Sequence, residues 1–318
     1  MNKCIFSFAL GLLLFFSNHA AYLQAAAAPT RVIITPAGFT EREGGLFVAQ
    51  DQGFFRKHGL DVQLVYVRSG SVAVSALSVG ETHFYYGSAS GATLGAIAGG
   101  VDMVFVAGLI NKPTGAFVVA PEIKTPSDLK GKRIGVTSIG GGNWMFAVMA
   151  FDLWGLDPKR DGISLRVIGN NPVLAQSIAQ GIIDGALLSY TFASDMKRQG
   201  FRILADLAKL GIPYQGTSVF ARRSLVNQSP EVVEKVLIAL VEAIAFIQDP
   251  ANKQAVMRSL AKWLRLPRVE DAAEGYEIMK TLYERRIYPN VEGIQNTIRL
   301  LGATNEKIRG LKAEDVVD

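Results

Sequence analysis

Apolar residues along the chain recur in two alternating patterns. Short β-branched runs predict strands at Arg31–Thr35, Asp61–Val67, Phe84–Tyr86, Met103–Gly108, Phe117–Ala120, Arg133–Val136, Ser164–Ile168, Gly185–Leu188, Arg202–Asp206 and Ser218–Ala221. Amphipathic or small-residue stretches between them predict helices at Gly45–Gln52, Val72–Val79, Ala89–Ala98, Asn143–Leu153, Val173–Gln180 and Thr191–Gln199. From Pro230 onward the pattern is helical only. Ser229-Pro230-Glu231 there reads as an N-cap, a first-position proline and a first-turn acid. Strands alternating with helices imply an α/β fold with mostly parallel sheets.

The pattern also echoes itself. Ser75 to Phe84 closes a helix at Gly80 and restarts as a strand, and Ser177 to Ala186 does the same at Gly181. Eight residues past each glycine the chain is small and polar, at Ser88 and at Ser189. Two similar α/β lobes would leave such a trace; two ordinary glycine-ended helices would leave it as well.

The N-terminus changes the compartment. Lys3 precedes an apolar run from Ile5 to Phe16, then a polar patch and the alanines Ala25–Ala28. That is the layout of a cleaved secretory signal over residues 1–28, and the run is shorter than the roughly 20 residues of a membrane span. Cys4, before the run, is badly placed for lipid attachment. With the leader removed the chain has no cysteine, hence no disulfide, thiolate nucleophile or sulfur ligand. Net charge falls from +5 to +4, since the leader carries Lys3 and no acid. The charges are dispersed, without the basic block that marks a nucleic-acid partner.

Enzyme signatures are missing. Outside the leader only His58 and His83 remain, too scattered for a metal cluster or a nucleophile–histidine–acid set, and no Gly-x-Ser-x-Gly elbow occurs. The run Gly135 to Asn143 lacks the lysine of a phosphate loop, and Met145 stands where a dinucleotide fingerprint needs glycine. No catalytic residue, metal or cofactor is expected.

Binding chemistry is better represented. The turn Ser138-Ile139-Gly140-Gly141-Gly142-Asn143 joins a strand to a helix, where bare backbone N–H groups and the helix dipole favour an anion. Ser138, Ile139, Gly141 and Asn143 are therefore candidate ligand contacts; the alternative is a flexible connector with an asparagine cap. Ser88 and Ser90 open the corresponding helix of the first half. Phe39, Tyr190 and Tyr214 follow strands or a crossing, where each could cover a ligand or simply pack. Lys112 is the best-placed cation for an anion, or else a solvated hinge lysine. Trp144, Trp154 and Trp263 read as helix-face core.

Gly45-Leu46-Phe47-Val48-Ala49-Gln50-Asp51-Gln52-Gly53-Phe54-Phe55 and the following residues to Val62 resemble the opening signature of nitrate/sulfonate/taurine-type solute-binding proteins. Asp128 to Val136 is similar to their second-lobe entry, and Gly155-Leu156-Asp157-Pro158 and Gly181 to Ala186 continue the likeness. The resemblance spans about Val32 to Leu225. It implies a type II periplasmic-binding-protein fold, with lobe 1 from 29–113 plus 217–318, lobe 2 from 114–216, and a two-crossing hinge. It also implies a monomer in the periplasm that carries a small molecule to the permease of an ABC importer. Relatives often have an acid–proline segment where this chain has Ser189-Tyr190-Thr191-Phe192, so their ligands do not transfer. Two other roles share the fold: a sensory ligand-binding protein, and the thiamine-pyrimidine synthases. The synthases resemble this chain less, since they rely on a cysteine-rich stretch.

Overall fold

The computed structural model describes residues 28–318 other than Arg68; the expected leader lies outside them. The ten expected strands all form. They are β1 (Thr30–Pro36), β2 (Leu60–Leu64), β3 (Phe84–Gly87), β4 (Met103–Gly108), β5 (Ala116–Val119), β6 (Arg133–Val136), β7 (Ser164–Val167), β8 (Gly185–Leu188), β9 (Arg202–Asp206) and β10 (Ser218–Arg222). The helices are α1 (Gly44–Asp51), α2 (Phe54–Lys57), α3 (Gly70–Ser78), α4 (Gly91–Ala98), α5 (Gly142–Leu153), α6 (Asn171–Ala179) and α7 (Tyr190–Arg198). After β10 come α8 (Arg223–Gln228), α9 (Pro230–Gln248), α10 (Lys253–Leu264), α11 (Ala273–Leu282), α12 (Val291–Gly302) and α13 (Glu306–Arg309). Boundaries shift by up to three residues, as where β2 ends at Leu64 rather than Val67, and two departures have local reasons. Ala89 and Ser90 stay outside α4 because Ser90 is its N-cap. The chain end is not purely helical either, since Val317 forms a parallel bridge to Phe105.

The strands make two five-stranded sheets, ordered β2-β1-β3-β10-β4 and β7-β6-β8-β5-β9. In the first, β10 runs antiparallel to both β3 and β4; in the second, β5 runs antiparallel to both β8 and β9. The other four strands of each sheet share one direction. The sheets are thus the same drawing made twice, with the reversed strand in each supplied just after the chain crosses over. Gly80 and Gly181 end α3 and α6 at φ +80° and +68°, a region glycine enters without a Cβ penalty. That shared stop turns the chain directly into β3 and β8.

Strand faces sort the core. Ala116 and Val118 look into a cluster with Leu174, Ile178 and Ala186, while Phe117 and Val119 alternate to the other side. That other side is a continuous apolar body joining the sheets: Phe117, Ile134 and Met145 pack in one cluster with Tyr85, Phe105 and Phe220. The remaining face of the first sheet is covered by α1, α9, α10 and α11 through Phe47, Val236, Leu240, Leu260 and Met279. Burial on both faces explains why β3, β4, β5 and β8 read as unbroken apolar runs.

Candidate functional site

Both sheets point the carboxyl ends of their parallel strands at one cleft of about 1410 Å³. From the first sheet it receives the turns after β1 (Ala37–Arg42), β2 (Tyr66, Ser69) and β3 (Ser88). The second contributes those after β6 (Thr137, Gly142, Asn143), β7 (Asn170–Pro172) and β8 (Ser189–Thr191). Ligands of open α/β sheets collect at such strand ends. The segment after α10 and the start of α11 close the outer rim.

The lobes furnish this cleft differently. In the first, α3 and α4 cap themselves through Ser69 and Ser90. In the second, α5, α6 and α7 all begin at the cleft and none is capped by its own N-cap side chain. Three N-termini with their positive dipole ends therefore converge on one space. The cation set most deeply there is Arg42, with 18% of its side chain exposed, over the Phe146 ring at 5.4 Å. Arg198 and Arg268, also in the lining, are exposed at the rim. One wall is aromatic: Phe39 stacks on Phe47 at 5.4 Å and meets Tyr66 edge-on at 5.0 Å and Trp263 at 5.8 Å.

Of the residues expected from the sequence, Phe39, Ser88, Asn143 and Tyr190 line the cleft together. Two of them already spend their polar groups. Asn143 Oδ1 accepts from Thr137 N at 3.3 Å and its Nδ2 donates to Leu187 O at 2.8 Å, tying the ends of β6 and β8. The Tyr190 hydroxyl donates to Asp206 Oδ1 at 2.7 Å, and burial, then that carboxylate, raises its pKa. The other six are not in the lining. Ser90 is consumed in the cap of α4 with Thr93. Tyr214 is fully buried and its hydroxyl donates to Ala89 O, so it is core. Lys112 reaches Thr281 O at 3.5 Å, away from the cleft. Ser138, Ile139 and Gly141 belong to a turn turned toward α4 instead: Gly140 O accepts from Ala92 N at 2.8 Å, with Gly140 against Gly91. Only bare glycines allow backbones so near, so Gly140 and Gly91 serve this contact, while Gly142 of the same run lines the cleft.

Sequence reasoning missed Glu41, Arg42 and Trp263. Trp263, read as core, stacks on Phe47 at 5.1 Å and also lines the cleft. Thr40-Glu41-Arg42-Glu43 looks like a solvated capping box, and a capping box it is, with Thr40 N donating to Glu43 Oε2 at 2.9 Å. Its burial comes from partners far along the chain. Thr191 N, the first turn of α7, donates to Glu41 Oε1 at 2.8 Å. Burial raises the Glu41 pKa. Among the described residues no group of three or more His, Cys, Asp or Glu side chains is placed to hold a metal.

Two equivalent sheets, each interrupted by one reversed strand and facing the other across a cleft at their strand ends, define a periplasmic-binding-protein fold. The alkanesulfonate-binding protein SsuA of Xanthomonas axonopodis pv. citri, bound to MOPS, superposes with a TM-score of 0.76 at 20% identity, covering 92% of this chain and 99% of that one. The chain belongs to the NMT1/THI5 like family, whose profile matches residues 42–253. Relatives include a Brucella abortus protein provisionally described as a binding protein, 29% identical over 226 residues, 69% of this chain and 67% of that protein. The taurine-binding periplasmic protein of Escherichia coli K12 is 25% identical over 295 residues, 91% of this chain and 88% of that protein.

Proposed function

We propose that the chain is a periplasmic solute-binding protein that reversibly takes up a small organic anion between its lobes, 29–113 plus 217–318 and 114–216, and presents it to the permease of an ABC importer. The observation that carries this reading is the convergence of three helix N-termini on one cleft beside Arg42, of which α7 is met by Glu41 while α5 and α6 have no side-chain cap. Fixed N–H dipoles and a shielded guanidinium bind an anion without reorganising, and their strength grows as closing lobes expel water. The cleft exceeds the roughly 300–1,000 Å³ typical of ligand pockets. Its aromatic wall of Phe39, Tyr66 and Trp263 suits a carbon body more than a bare inorganic ion such as nitrate. Among the classes that the relatives bind, an organic sulfonate fits best, and an organic carboxylate would meet the same groups. The protein works as a monomer without a cofactor and leaves its ligand chemically unchanged.

A thermal-shift panel of sulfonates, carboxylates, nitrate and thiamine-pyrimidine analogues tests this. At least one organic anion should raise the melting temperature, because ligand at about 100 times its Kd adds roughly 2.7 kcal/mol. Arg42→Met should remove that shift, and mass spectrometry should recover the ligand intact. No shift from any organic anion would overturn the ligand class. A chemically altered ligand would favour the enzyme reading.

A further inference from the structure

The lobes meet at a buried acid. Glu41, from the turn after β1, is fully buried, and its Oε1 accepts the N–H of Thr191, in the first turn of α7, across the lobes at 2.8 Å. The Ser189 hydroxyl stands beside the same carboxyl. Gly275 of α11 closes the junction on its other side: a Cβ there would stand 3.2 Å from Thr191 Oγ1 and 3.9 Å from Glu41 Cβ.

The charges around this junction do not favour a carboxylate. Glu43, on the same turn, is buried as well, and Arg42 turns its guanidinium to Glu43 at 3.7 Å. On the α7 side Tyr190 holds the Asp206 carboxylate, and on the α11 side Glu274 accepts from Ser194. Arg198, exposed farther along α7, donates to Asp195 at 3.1 Å and Ser194 at 3.2 Å. Among the described residues no cation pairs with Glu41, so its charge would rest on the hydrogen bonds of Thr191, Ser189 and its own backbone alone. Burial outweighs these bonds and raises its pKa above the ordinary 4.5.

We propose that Glu41 is a positioning residue that couples closure of the lobes to uptake of one proton, so that the cleft holds its anion more tightly as the medium becomes more acidic. The inference rests on the proposed function, since it takes the lobes to part and meet around a ligand. When they part, Glu41 leaves Thr191 and returns to water, where its acidity is ordinary. When they meet, the neutral carboxyl suits the junction: one oxygen still accepts from Thr191 N, and the new O–H has the Ser189 hydroxyl beside it. A carboxyl that is a weaker acid in the closed state favours closure in full below 4.5, and that gain is lost as pH rises through the raised value.

The experiment is titration calorimetry with propanesulfonate and benzenesulfonate, which carry no group that titrates in the range used. Kd is measured from about pH 8 down to about pH 5, in buffers of different ionisation enthalpy that count the protons taken up. For the wild type Kd should fall toward acid, by at most about tenfold per pH unit, the limit for one proton. Glu41→Gln keeps an acceptor for Thr191 N and cannot titrate. It should bind at about pH 8 as the wild type does at about pH 5, taking up no proton. A residue that merely holds α7 in place would instead give a variant weaker at every pH with the wild-type profile, and that result overturns the proposal. A wild-type Kd without pH dependence or proton uptake also overturns it, while the anion reading stands. If neither sulfonate binds, the sulfonate reading falls, and small-angle X-ray scattering of the ligand-free protein decides on Glu41. The radius of gyration should shrink toward acid in the wild type and not in the variant; a radius that ignores pH overturns the coupling. Should the variant not fold, judged by circular dichroism, the wild-type proton count decides alone.

Discussion

The two lobes solve the same backbone problem with opposite side chains. At the junction where a glycine-ended helix turns into the central strand, lobe 1 places His83 and lobe 2 places Asp184. Each stands immediately before its strand and each makes the same pair of bonds to the neighbouring strand. His83 N donates to Ile33 O at 2.9 Å while His83 Nδ1 accepts from Ile33 N at 2.9 Å. Asp184 N donates to Arg133 O at 2.8 Å while Asp184 Oδ2 accepts from Arg133 N at 2.7 Å. The side chain extends the ladder by one rung in both cases. What the position demands is an acceptor at that reach, and a neutral imidazole meets the demand as well as a carboxylate does. The difference lies in what else the group binds. Asp184 also holds the Arg133 guanidinium, at 2.6 and 2.9 Å, whereas His83 has the Arg222 guanidinium as an unfavourable neighbour.

Removing the rungs should therefore cost unequal amounts. Asp184→Ala leaves both the Arg133 backbone N–H and a half-buried guanidinium without their acceptor. It should lower unfolding free energy by about 3 kcal/mol, as charged hydrogen bonds are worth about 1.5–3 kcal/mol. The urea midpoint should fall with an unchanged slope. His83→Ala orphans a single N–H and should cost about 1.5 kcal/mol. Equal losses would mean that the guanidinium contributes nothing and the two junctions are the same device.

Acid should separate them further. Burial, and then Arg222, hold the His83 imidazole below its ordinary 6.5. A folded pKa below the unfolded one means stability is complete above 6.5 and is lost as pH falls through the folded value. The Arg133 hydrogen bonds hold Asp184 below its usual 3.8, so its contribution persists until pH falls under that value. Taken from about pH 7.5 to about pH 5, the wild type should lose stability that His83→Ala no longer has to lose, while Asp184→Ala keeps the full pH dependence. Parallel pH curves for wild type and His83→Ala would show that His83 does not titrate against folding.

The equivalence of these junctions was partly legible in the sequence. Gly80 and Gly181 marked the turns, because a helix that must stop in the left-handed region announces it with glycine. Strands such as Met103–Gly108 were legible because burial on both faces demands unbroken apolar runs. The cleft was less so. Phe39, Ser88, Asn143 and Tyr190 could be found from their place after strands, a rule of topology. Glu41 and Arg42 could not, since nothing local distinguishes a buried Thr-Glu-Arg-Glu turn from a solvated one. What buries Glu41 includes Thr191, 150 residues away. Of the glycine run, Gly142 reaches the cleft while Gly140 lies against α4. Their openness to any backbone shape is as useful for letting two lobes touch as for cradling an anion.

The smallest effect tests where each lobe finds its helix cap. Ser90 and Ser189 are the N-cap residues of α4 and α7. Ser90 Oγ accepts from Thr93 N at 3.4 Å, and Ser90 N donates to Thr93 Oγ1 at 2.7 Å. Ser189 Oγ makes no capping bond to its own helix, and Glu41 of the other lobe supplies an acceptor to α7. Ser90→Ala should then cost about 1 kcal/mol, the usual value of a lost cap, while Ser189→Ala should be neutral or slightly stabilising. Thermal melts of both variants in the absence of ligand would check the pair. A loss at Ser189 matching that at Ser90 would mean that α7 is capped from within its own lobe. Glu41 would then be a bystander to the helix rather than its cap.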